Sequence, residues 1–376
     1  MPRAVGKGEV VLDAVAEREE LEEVRDDASN DDTVSIKNYD ITSFGADYDV
    51  EGLVRRLNKD EILIPGFQRG YVWTISEASR FIESLLLGLP VPGVFLAREL
   101  GTNKQLVIDG QQRLRTLQFF YDGYFSPKAS ERTQKVFKLT NVQPEFEGKT
   151  YKSIDASTRL KLDNSIIHAT IVKQESPAGE DTSLYHIFER LNYGGRRLAP
   201  QEIRVAIYHG KLLNLVKSVN GNEKWRKIYG RPSSRLKDQE LILRFLAFHV
   251  MAEKYRRPMK DFINRFASIH RNPLPSLLAQ WKERFEAAIG VVFDALGQKA
   301  FRPEASINAA VFDSVMLGVS RRLESGPIDD LMALKKNYTE LMSYPKYKET
   351  VSRSTADEKF VKDRIAIATE KLGKVP

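Results

Sequence analysis

The chain has 376 residues, of which 42% are hydrophobic, and this is enough to build two or more domains with their own cores. It contains no cysteine, which excludes disulfides, thiolate catalysis and cysteine-ligated zinc and favours a cytoplasmic location. No apolar run approaches the roughly 20 residues that cross a bilayer, and the acidic sequence after Met1 lacks the core of a signal peptide, so we expect no membrane association.

The net charge of +7 is unevenly distributed along the chain. Residues 1–35 contain eleven acidic and four basic side chains, a net charge of −7, so the rest of the chain carries +14. We predict that this acidic segment is a disordered arm, because it has few aromatic residues. The basic remainder suits a polyanion such as DNA, although many basic proteins bind no nucleic acid.

Strands and helices alternate after the arm, which predicts an α/β domain over residues 36–178. A capping box of Thr74 and Glu77 begins one predicted helix, and Gly88 ends it. Two further helices are predicted at residues 50–58 and 158–163. Apolar runs predict strands at residues 41–44, 61–65, 94–97, 105–108, 134–139 and 166–172.

From residue 184 onward the helical period dominates, and we predict an all-helical domain over residues 179–376. A helix at residues 184–192 ends before the sequence Gly-Gly-Arg-Arg at 194–197, which is either an anion contact or a surface loop. Pro200 suits the first turn of the next helix, and later helices are separated by prolines. The predicted fold class is therefore α+β.

One short stretch combines a strand, a tight turn and a helix start. Residues 105–108 are followed by Asp109 and Gly110, and helical periodicity begins at Gln111. The first turn of a helix carries unpaired N–H groups, and together with the guanidinium of Arg113 they make an anion site. Asp109 is placed to hold magnesium or to orient a water. The alternative is that Asp109 caps the helix and Arg113 pairs on the surface.

A second unusual stretch is the loop at residues 66–73, which mixes three aromatic residues with an amide and a guanidinium. Its aromatic faces can stack on a base, while Gln68 and Arg69 can bond a base edge or a phosphate. The alternative is that Phe67, Tyr71 and Trp73 fill a core, which explains the aromatic residues better than the two polar ones.

Residues 224–237 form the strongest candidate for contact with a nucleic-acid backbone. They contain six basic residues and the aromatic residues Trp225 and Tyr229. No acidic residue occurs between Glu223 and Asp238. A solvated surface loop is the alternative.

Several catalytic motifs are absent from the sequence. There is no Walker A pattern, no His-Glu-x-x-His and no Gly-x-Ser-x-Gly, and the five histidines lack metal-ligand spacing. A nuclease site of the ββα type needs a histidine base close to its metal ligands, and none can be assembled here. If the chain catalyses the cleavage of a bond, the best candidate for that bond is a phosphoanhydride held at the Asp109–Arg113 turn.

The order of three motifs resembles the N-terminal domain family of GmrSD-type restriction endonucleases over roughly residues 40–260. The motifs are IPGFQRGYVW from Ile64, DGQQRL from Asp109, and IFERLN from Ile187 followed by LAPQEIR from Leu198. The resemblance implies a ParB/sulfiredoxin-like α/β domain followed by helices, with a Gly-x-x-Arg turn, here Gly110 to Arg113, that binds nucleotide phosphates. It also implies nucleotide hydrolysis that regulates the cleavage of modified phage DNA.

Three departures from the family pattern matter. Sulfiredoxin chemistry needs a cysteine, so that activity is excluded. Restriction members often carry a C-terminal HNH nuclease domain, which this sequence lacks, so we expect DNA cleavage to need a nuclease partner subunit. Arg115 stands where many relatives have threonine, which we expect to add an exposed charge near the site.

The favoured hypothesis is a magnesium-dependent NTPase of a bacterial DNA-defence system. Arg113 and the N–H groups of Gln111 and Gln112 would hold phosphates, while Asp109 would hold magnesium or position the attacking water. Catalytic roles are assigned to Asp109, Gln112 and Arg113. The other predicted binding residues are Gly110, then Gln68, Arg69 and Tyr71 in the aromatic loop, and Arg190, Asn192 and Arg204 in the helical part.

Two alternatives remain open from the sequence. The same pocket, or the aromatic loop, could sense a modified or flipped base in DNA without catalysis. The chain could also be a scaffold subunit whose pocket has decayed, which the complete Asp109–Arg113 motif disfavours. The identity of the nucleotide, the DNA modification and the oligomeric state are not defined by the sequence.

Overall fold

A computed structural model of the chain describes residues 24–26, 40–64, 71–98, 104–125, 135–176, 182–191 and 198–376. These residues divide into two compact units. The sheet unit comprises the described residues of 38–198 together with 205–207, and the helical unit comprises 24–26, 199–204 and 208–376. The predicted fold class is confirmed, since a mixed sheet lies in the N-terminal region and the C-terminal part is helical.

The sheet unit is built on a five-stranded mixed sheet of β2 (Asp40–Asp49), β3 (Ile62–Leu63), β4 (Val94–Arg98), β5 (Gln105–Asp109) and β8 (Ile166–Ser176). The strand order is β2-β8-β4-β5-β3. The long strands β2 and β8 are antiparallel, β4 is parallel to β8, β5 is antiparallel to β4, and β3 is parallel to β5. A separate small antiparallel pair is formed by β6 (Tyr124–Phe125) and β7 (Lys135–Val136).

Among the described residues of the sheet unit there are five helices, and the predicted helix signals are confirmed where they can be checked. The capping box of Thr74 and Glu77 is present, and the helix that it starts ends at Gly88, whose φ is 73°. The helices are α1 (Val50–Asn58), α2 (Ile75–Leu87), α3 (Gln111–Asp122), α4 (Ala156–Asp163) and α5 (Thr182–Leu191).

The two faces of the sheet have different surroundings. Ile167, Ala169 and Ile171 alternate along β8 and are buried in one core with apolar residues of α1, α2 and α3. Helix α5 contacts β5, and its residues Tyr185 and Phe188 are fully buried. Since α5 belongs to the sheet unit, the division of the structure falls near residue 198, whereas the predicted domain boundary is residue 178.

The helical unit is organised around one buried helix, α12 (Ala309–Arg322). Every residue from Ala309 to Ser320 is buried, which is the pattern of a helix surrounded on all sides by others. Its neighbours include the helices at Lys237–Met251, Pro275–Leu296 and Glu358–Leu372. The others are α6 (Pro200–Ile207), α7 (Lys211–Val219), α8 (Glu223–Tyr229), α9 (Lys237–Met251), α10 (Met259–Ile269), α11 (Pro275–Leu296), α13 (Leu331–Ser343), α14 (Pro345–Ser352) and α15 (Glu358–Leu372).

A short piece of the acidic N-terminal segment belongs to the helical unit. Strand β1 (Val24–Arg25) pairs in parallel with β9 (Ile307–Asn308), and Asp26 makes an ion pair with Arg244 at 2.8 Å. For these three residues the expectation of a disordered arm is not met, because Val24 is buried and Asp26 neutralises an internal cation. The rest of residues 1–35 lies outside the described part of the chain. None of the helices in the described ranges is both long and apolar enough to cross a bilayer.

Candidate functional site

The site begins at an irregularity in β5. Val107 is paired with Leu96 and Asp109 with Phe95, so Ile108 is an extra residue that forms a β-bulge. Without the bulge, the alternation of a strand would direct Asp109 to the same side as Val107, which is fully buried in the core. The bulge instead leaves the Asp109 carboxylate accessible at the end of the strand, with half of its side chain exposed.

Gly110 makes the turn that the sequence predicts. Its φ of +99° lies in the left-handed region, and a Cβ at this position would be 2.5 Å from Cγ1 of Val94. Both the backbone conformation and the close approach to β4 therefore require glycine. Helix α3 begins at the next residue, which confirms the predicted arrangement of strand, turn and helix.

An ion pair joins the strand end to the first turn of α3. Nη2 of Arg113 donates to Oδ2 of Asp109 at 2.8 Å, and the side chain of Arg113 is only 13% exposed while that of Asp109 is 50% exposed. Gly110 occupies the N-cap position of α3, so Asp109 is not its N-cap residue. A cation, a carboxylate and the positive end of a helix are thus brought together at one edge of the sheet.

Gln112 connects this turn to the aromatic motif. Its Oε1 accepts hydrogen bonds from the backbone N–H groups of Val72 at 3.0 Å and Trp73 at 3.4 Å. The side-chain oxygen is therefore engaged in holding the segment before α2. This contact makes Gln112 a positioning residue in the structure, and its predicted catalytic role stays a prediction.

Tyr71 lies in the core, although it was predicted to close the pocket. Its hydroxyl lies 2.6 Å from Oγ1 of Thr116, and its ring packs edge-on against Phe119 and Phe125. Burial raises the pKa of the Tyr71 phenol well above its usual value of 10.0. The alternative given for the aromatic loop, that its aromatic residues fill a core, describes Tyr71 correctly and also applies in part to Trp73, which packs on Phe81.

The remaining predicted binding residues divide into two groups. Gln68, Arg69 and Asn192 lie outside the described residues, so their predicted roles stay predictions. Arg190 is exposed near the end of α5. Gln111 is partly buried in the first turn of α3.

Arg204 has a structural role in place of the predicted binding role. It is almost completely buried, and its guanidinium donates to Glu240 at 2.7 Å, to Asn264 at 2.7 Å and to Gln201 at 3.2 Å. All of these groups belong to the helical unit. An arginine engaged by a buried carboxylate and two amides is neutralised within the protein, so we remove Arg204 from the candidate site.

The basic run at residues 224–237 is largely neutralised by acidic residues of the helical unit. Four of its six cations make ion pairs, and a fifth, Lys227, lies over the ring of Phe293. The pairs are Lys224 with Asp294, Arg226 with Asp238, Arg235 with Glu202, and Lys237 with Glu240. Asp238 and Glu240 follow the run directly in the sequence, whereas Glu202 and Asp294 are distant in sequence and could not be identified as partners from it.

Arg115 also differs from expectation. It was expected to add an exposed charge, but it is only partly accessible, and its Nε is buried without a hydrogen-bond partner. Burial lowers the pKa of its guanidinium.

The structure adds a pair that sequence reasoning missed. Nδ1 of His168 lies 2.8 Å from Oδ1 of Asp47, on paired positions of β8 and β2. The spacing of the five histidines does not indicate this pair, because the partner of His168 is 121 residues away. The available signals were a glycine inside a strand, Gly45, and a histidine interrupting an apolar strand.

Within the described ranges there is no group of three or more acidic or histidine side chains that could bind a metal unaided. Magnesium, however, usually binds proteins through one or two carboxylates, together with water and substrate phosphates. The half-exposed carboxylate of Asp109 fits that mode, and Arg113 at its side can contact the same phosphates.

Residues 50–209 match the family model described as the GmrSD restriction endonuclease, N-terminal domain. The match covers a little under half of the chain and runs from the start of α1 past the end of α6, including the turn from Asp109 to Arg113. A search of curated proteins finds no match.

Proposed function

We infer from the family of residues 50–209, the GmrSD restriction endonuclease N-terminal domain, that this chain is a component of a DNA-defence restriction system, and we propose that its sheet unit binds and hydrolyses a nucleoside triphosphate. The observation that carries the proposal is the ion pair of Arg113 with Asp109 at the N-terminus of α3. Polyphosphates bind where helix N–H groups and a guanidinium converge.

Arg113 would contact the phosphate oxygens. A guanidinium has five N–H donors, and the contact with Asp109 uses Nη2. That contact also fixes the side chain before the ligand arrives, which lowers the entropic cost of binding. The N–H groups of the first turn of α3 would contribute further hydrogen bonds, because they have no acceptor within the helix.

Asp109 would hold magnesium or orient the attacking water. Bound magnesium would supply positive charge that offsets the charge on the phosphate oxygens. The carboxylate is accessible while its neighbour Ile108 is buried, so it can reach a ligand without rearrangement of the strand. Electrostatic placement of charge, more than covalent chemistry by the protein, would lower the barrier.

The test is phosphate release from each of the common nucleoside triphosphates in the presence of magnesium. We expect Asp109→Ala and Arg113→Ala to lower the rate by roughly a hundredfold or more, the usual loss when one transition-state contact is removed. Arg353→Ala is the matched control, because Arg353 makes a 3.0 Å pair with Glu349 at the same i,i+4 spacing in the helical unit. Equal background rates in all four proteins would remove the proposal of hydrolysis.

DNA contact, a separate nuclease partner, an oligomeric assembly and the ParB/sulfiredoxin-like relationship are further parts of this proposal. Backbone contact with DNA through residues 224–237 draws little support, because most of the basic side chains there are paired within the chain. A DNA sensor at the same pocket or the aromatic loop stays the alternative. Gel shifts with modified and plain DNA at two salt concentrations would test DNA contact, since phosphate contacts are weakened by salt.

A further inference from the structure

The pair of Asp47 and His168 is held in a defined arrangement on the sheet. The two residues are opposite each other in the antiparallel pairing of β2 and β8, and Nδ1 of His168 lies 2.8 Å from Oδ1 of Asp47. Both side chains are well exposed, at 59% for His168 and 66% for Asp47. The pair is therefore open to a ligand and is not part of the core.

Two glycines make room for the histidine. A Cβ at Gly45 would lie 2.7 Å from Cε1 of His168, so the imidazole lies against the backbone of β2 at this point. A Cβ at Gly93 would lie 2.6 Å from the carbonyl oxygen of His168. Glycine inside a strand such as β2 is unfavourable by roughly 0.5–1 kcal/mol, and it often marks the close approach of another group.

The register of the sheet places this pair on the same face as Asp109. Along β8, Ile167 and Ala169 are buried against the helices, so His168 faces the opposite side. Phe95 also faces that side, because its neighbours Val94 and Leu96 are in the same helix-covered core. Phe95 pairs with Thr170 of β8 and with Asp109 of β5.

The distance between the two sites follows from this register. Asp109 is two strands from β8, and His168 is two residues from Thr170, towards the end of the sheet at which α3 begins. With normal strand spacing and rise, the Cα atoms of Asp109 and His168 are about 12 Å apart. Phe95 and Gly93, both partly exposed, lie between them.

The chemistry of the pair differs from that of a phosphate site. In the tautomer in which Nδ1–H of His168 donates a hydrogen bond to the carboxylate of Asp47, the imidazole presents a lone pair at Nε2. Such a nitrogen accepts a hydrogen bond from a hydroxyl or an amino group. No third acidic or histidine side chain of the described residues joins the pair to form a metal site.

We propose that Asp47 and His168 recognise the sugar or base end of the nucleotide whose phosphates bind at Arg113. His168 accepts a hydrogen bond from a ribose hydroxyl or a base amino group, and Asp47 is a positioning residue that fixes the ring. This inference rests on the proposed function, because it requires a nucleotide at the turn of Asp109 to Arg113.

The experiment compares the affinity of the protein for a nucleoside triphosphate with its affinity for inorganic tripolyphosphate, which has neither sugar nor base. Titration calorimetry with magnesium gives both values for the whole chain. We expect His168→Ala to weaken nucleotide binding roughly five- to tenfold, the effect of one lost hydrogen bond, and to leave tripolyphosphate binding unchanged. Glu61→Gln is the control, since it breaks an exposed pair with Arg56 in the same unit.

Two further variants separate positioning from general structural effects. Gly45→Ala should displace the imidazole without removing it, and should weaken nucleotide binding in the same direction as His168→Ala. Asp47→Ala should weaken nucleotide binding, and Asp47→Asn should restore most of it, because the amide oxygen can still accept from Nδ1.

The outcomes distinguish this inference from the proposed function. Unchanged nucleotide affinity in His168→Ala, or an equal loss for both ligands, overturns the inference. If the wild type binds both ligands equally and Arg113→Ala weakens both, the phosphate site stands and recognition by His168 fails. If the wild type binds neither ligand, both proposals fail together.

Discussion

The side-chain oxygen of Gln112 accepts a hydrogen bond from the backbone N–H of Val72, 40 residues earlier in the chain. Two sequence motifs that looked like separate ligand-binding elements are thereby connected, one on α3 and one in the segment before α2. The adjacent N–H of Trp73 points to the same oxygen at 3.4 Å. The Gln112 side chain thus connects the turn after β5 to the aromatic segment.

Gln112→Ala should loosen this segment. Removing Oε1 leaves the N–H groups of Val72 and Trp73 without their acceptor, at a cost of about 1 kcal/mol for a neutral hydrogen bond. We expect hydrogen exchange of these two amides to become up to roughly tenfold faster. Gln118→Ala is the control, because Gln118 lies on the same helix and bonds Asn58. Unchanged exchange at both amides would contradict the positioning role.

Gly110→Ala should destabilise the sheet unit strongly. An alanine there combines an unfavourable positive φ with a Cβ placed 2.5 Å from Cγ1 of Val94, and together these cost roughly 2–4 kcal/mol. Gly123→Ala at the other end of α3 separates the two effects, because its φ is also positive but nothing lies within 4 Å of the added Cβ. We expect the control to cost about 1 kcal/mol. Urea unfolding measures both, and equal losses would show that the contact with Val94 has no effect.

Local signals in the sequence predicted several helices of the fold correctly. The helix at residues 50–58, the capping box before α2 and the helix start at Pro200 are found as expected, because each depends on neighbours a few residues away. The strand of residues 41–44 was predicted too short, since β2 extends to Asp49 only through its pairing with β8. For residues 134–139 the described strand is limited to Lys135–Val136.

The errors share one cause, which is contact between residues distant in sequence. Arg204 and three cations of residues 224–237, Lys224, Arg226 and Arg235, were predicted as ligand contacts because their carboxylate partners lie on other helices. The bulge at Ile108 is equally invisible in the sequence, because it is defined by the residues of β4 that face it. Periodicity predicts which side of an element is buried, but it does not predict its partner.

Tyr71 should make stability depend on pH in the alkaline range. Burial raises the pKa of its phenol above 10.0, so the folded state keeps the proton at a pH where the unfolded state loses it. The unfolded state then binds fewer protons, and the unfolding free energy falls as the pH rises above about 10, by at most roughly 1.4 kcal/mol per pH unit. Tyr71→Phe should lose about 1 kcal/mol at neutral pH with the bond to Thr116, but should show a weaker alkaline decline. Parallel pH curves for the two proteins would contradict this assignment.

Asp26 should contribute to the stability of the helical unit, although it belongs to an acidic segment predicted to be disordered. Its carboxylate lies 2.8 Å from the buried guanidinium of Arg244, which also pairs with the buried Asp313. Asp26→Ala leaves part of a buried positive charge uncompensated, and we expect a loss of about 3 kcal/mol. Glu304→Ala is the matched control, because it removes the exposed partner of the neighbouring Arg25 and should cost less than about 1 kcal/mol. Hydrogen exchange of the slowest amides in α9 and α12 measures the difference, and equal exchange in the two variants would show that Asp26 does not stabilise the unit.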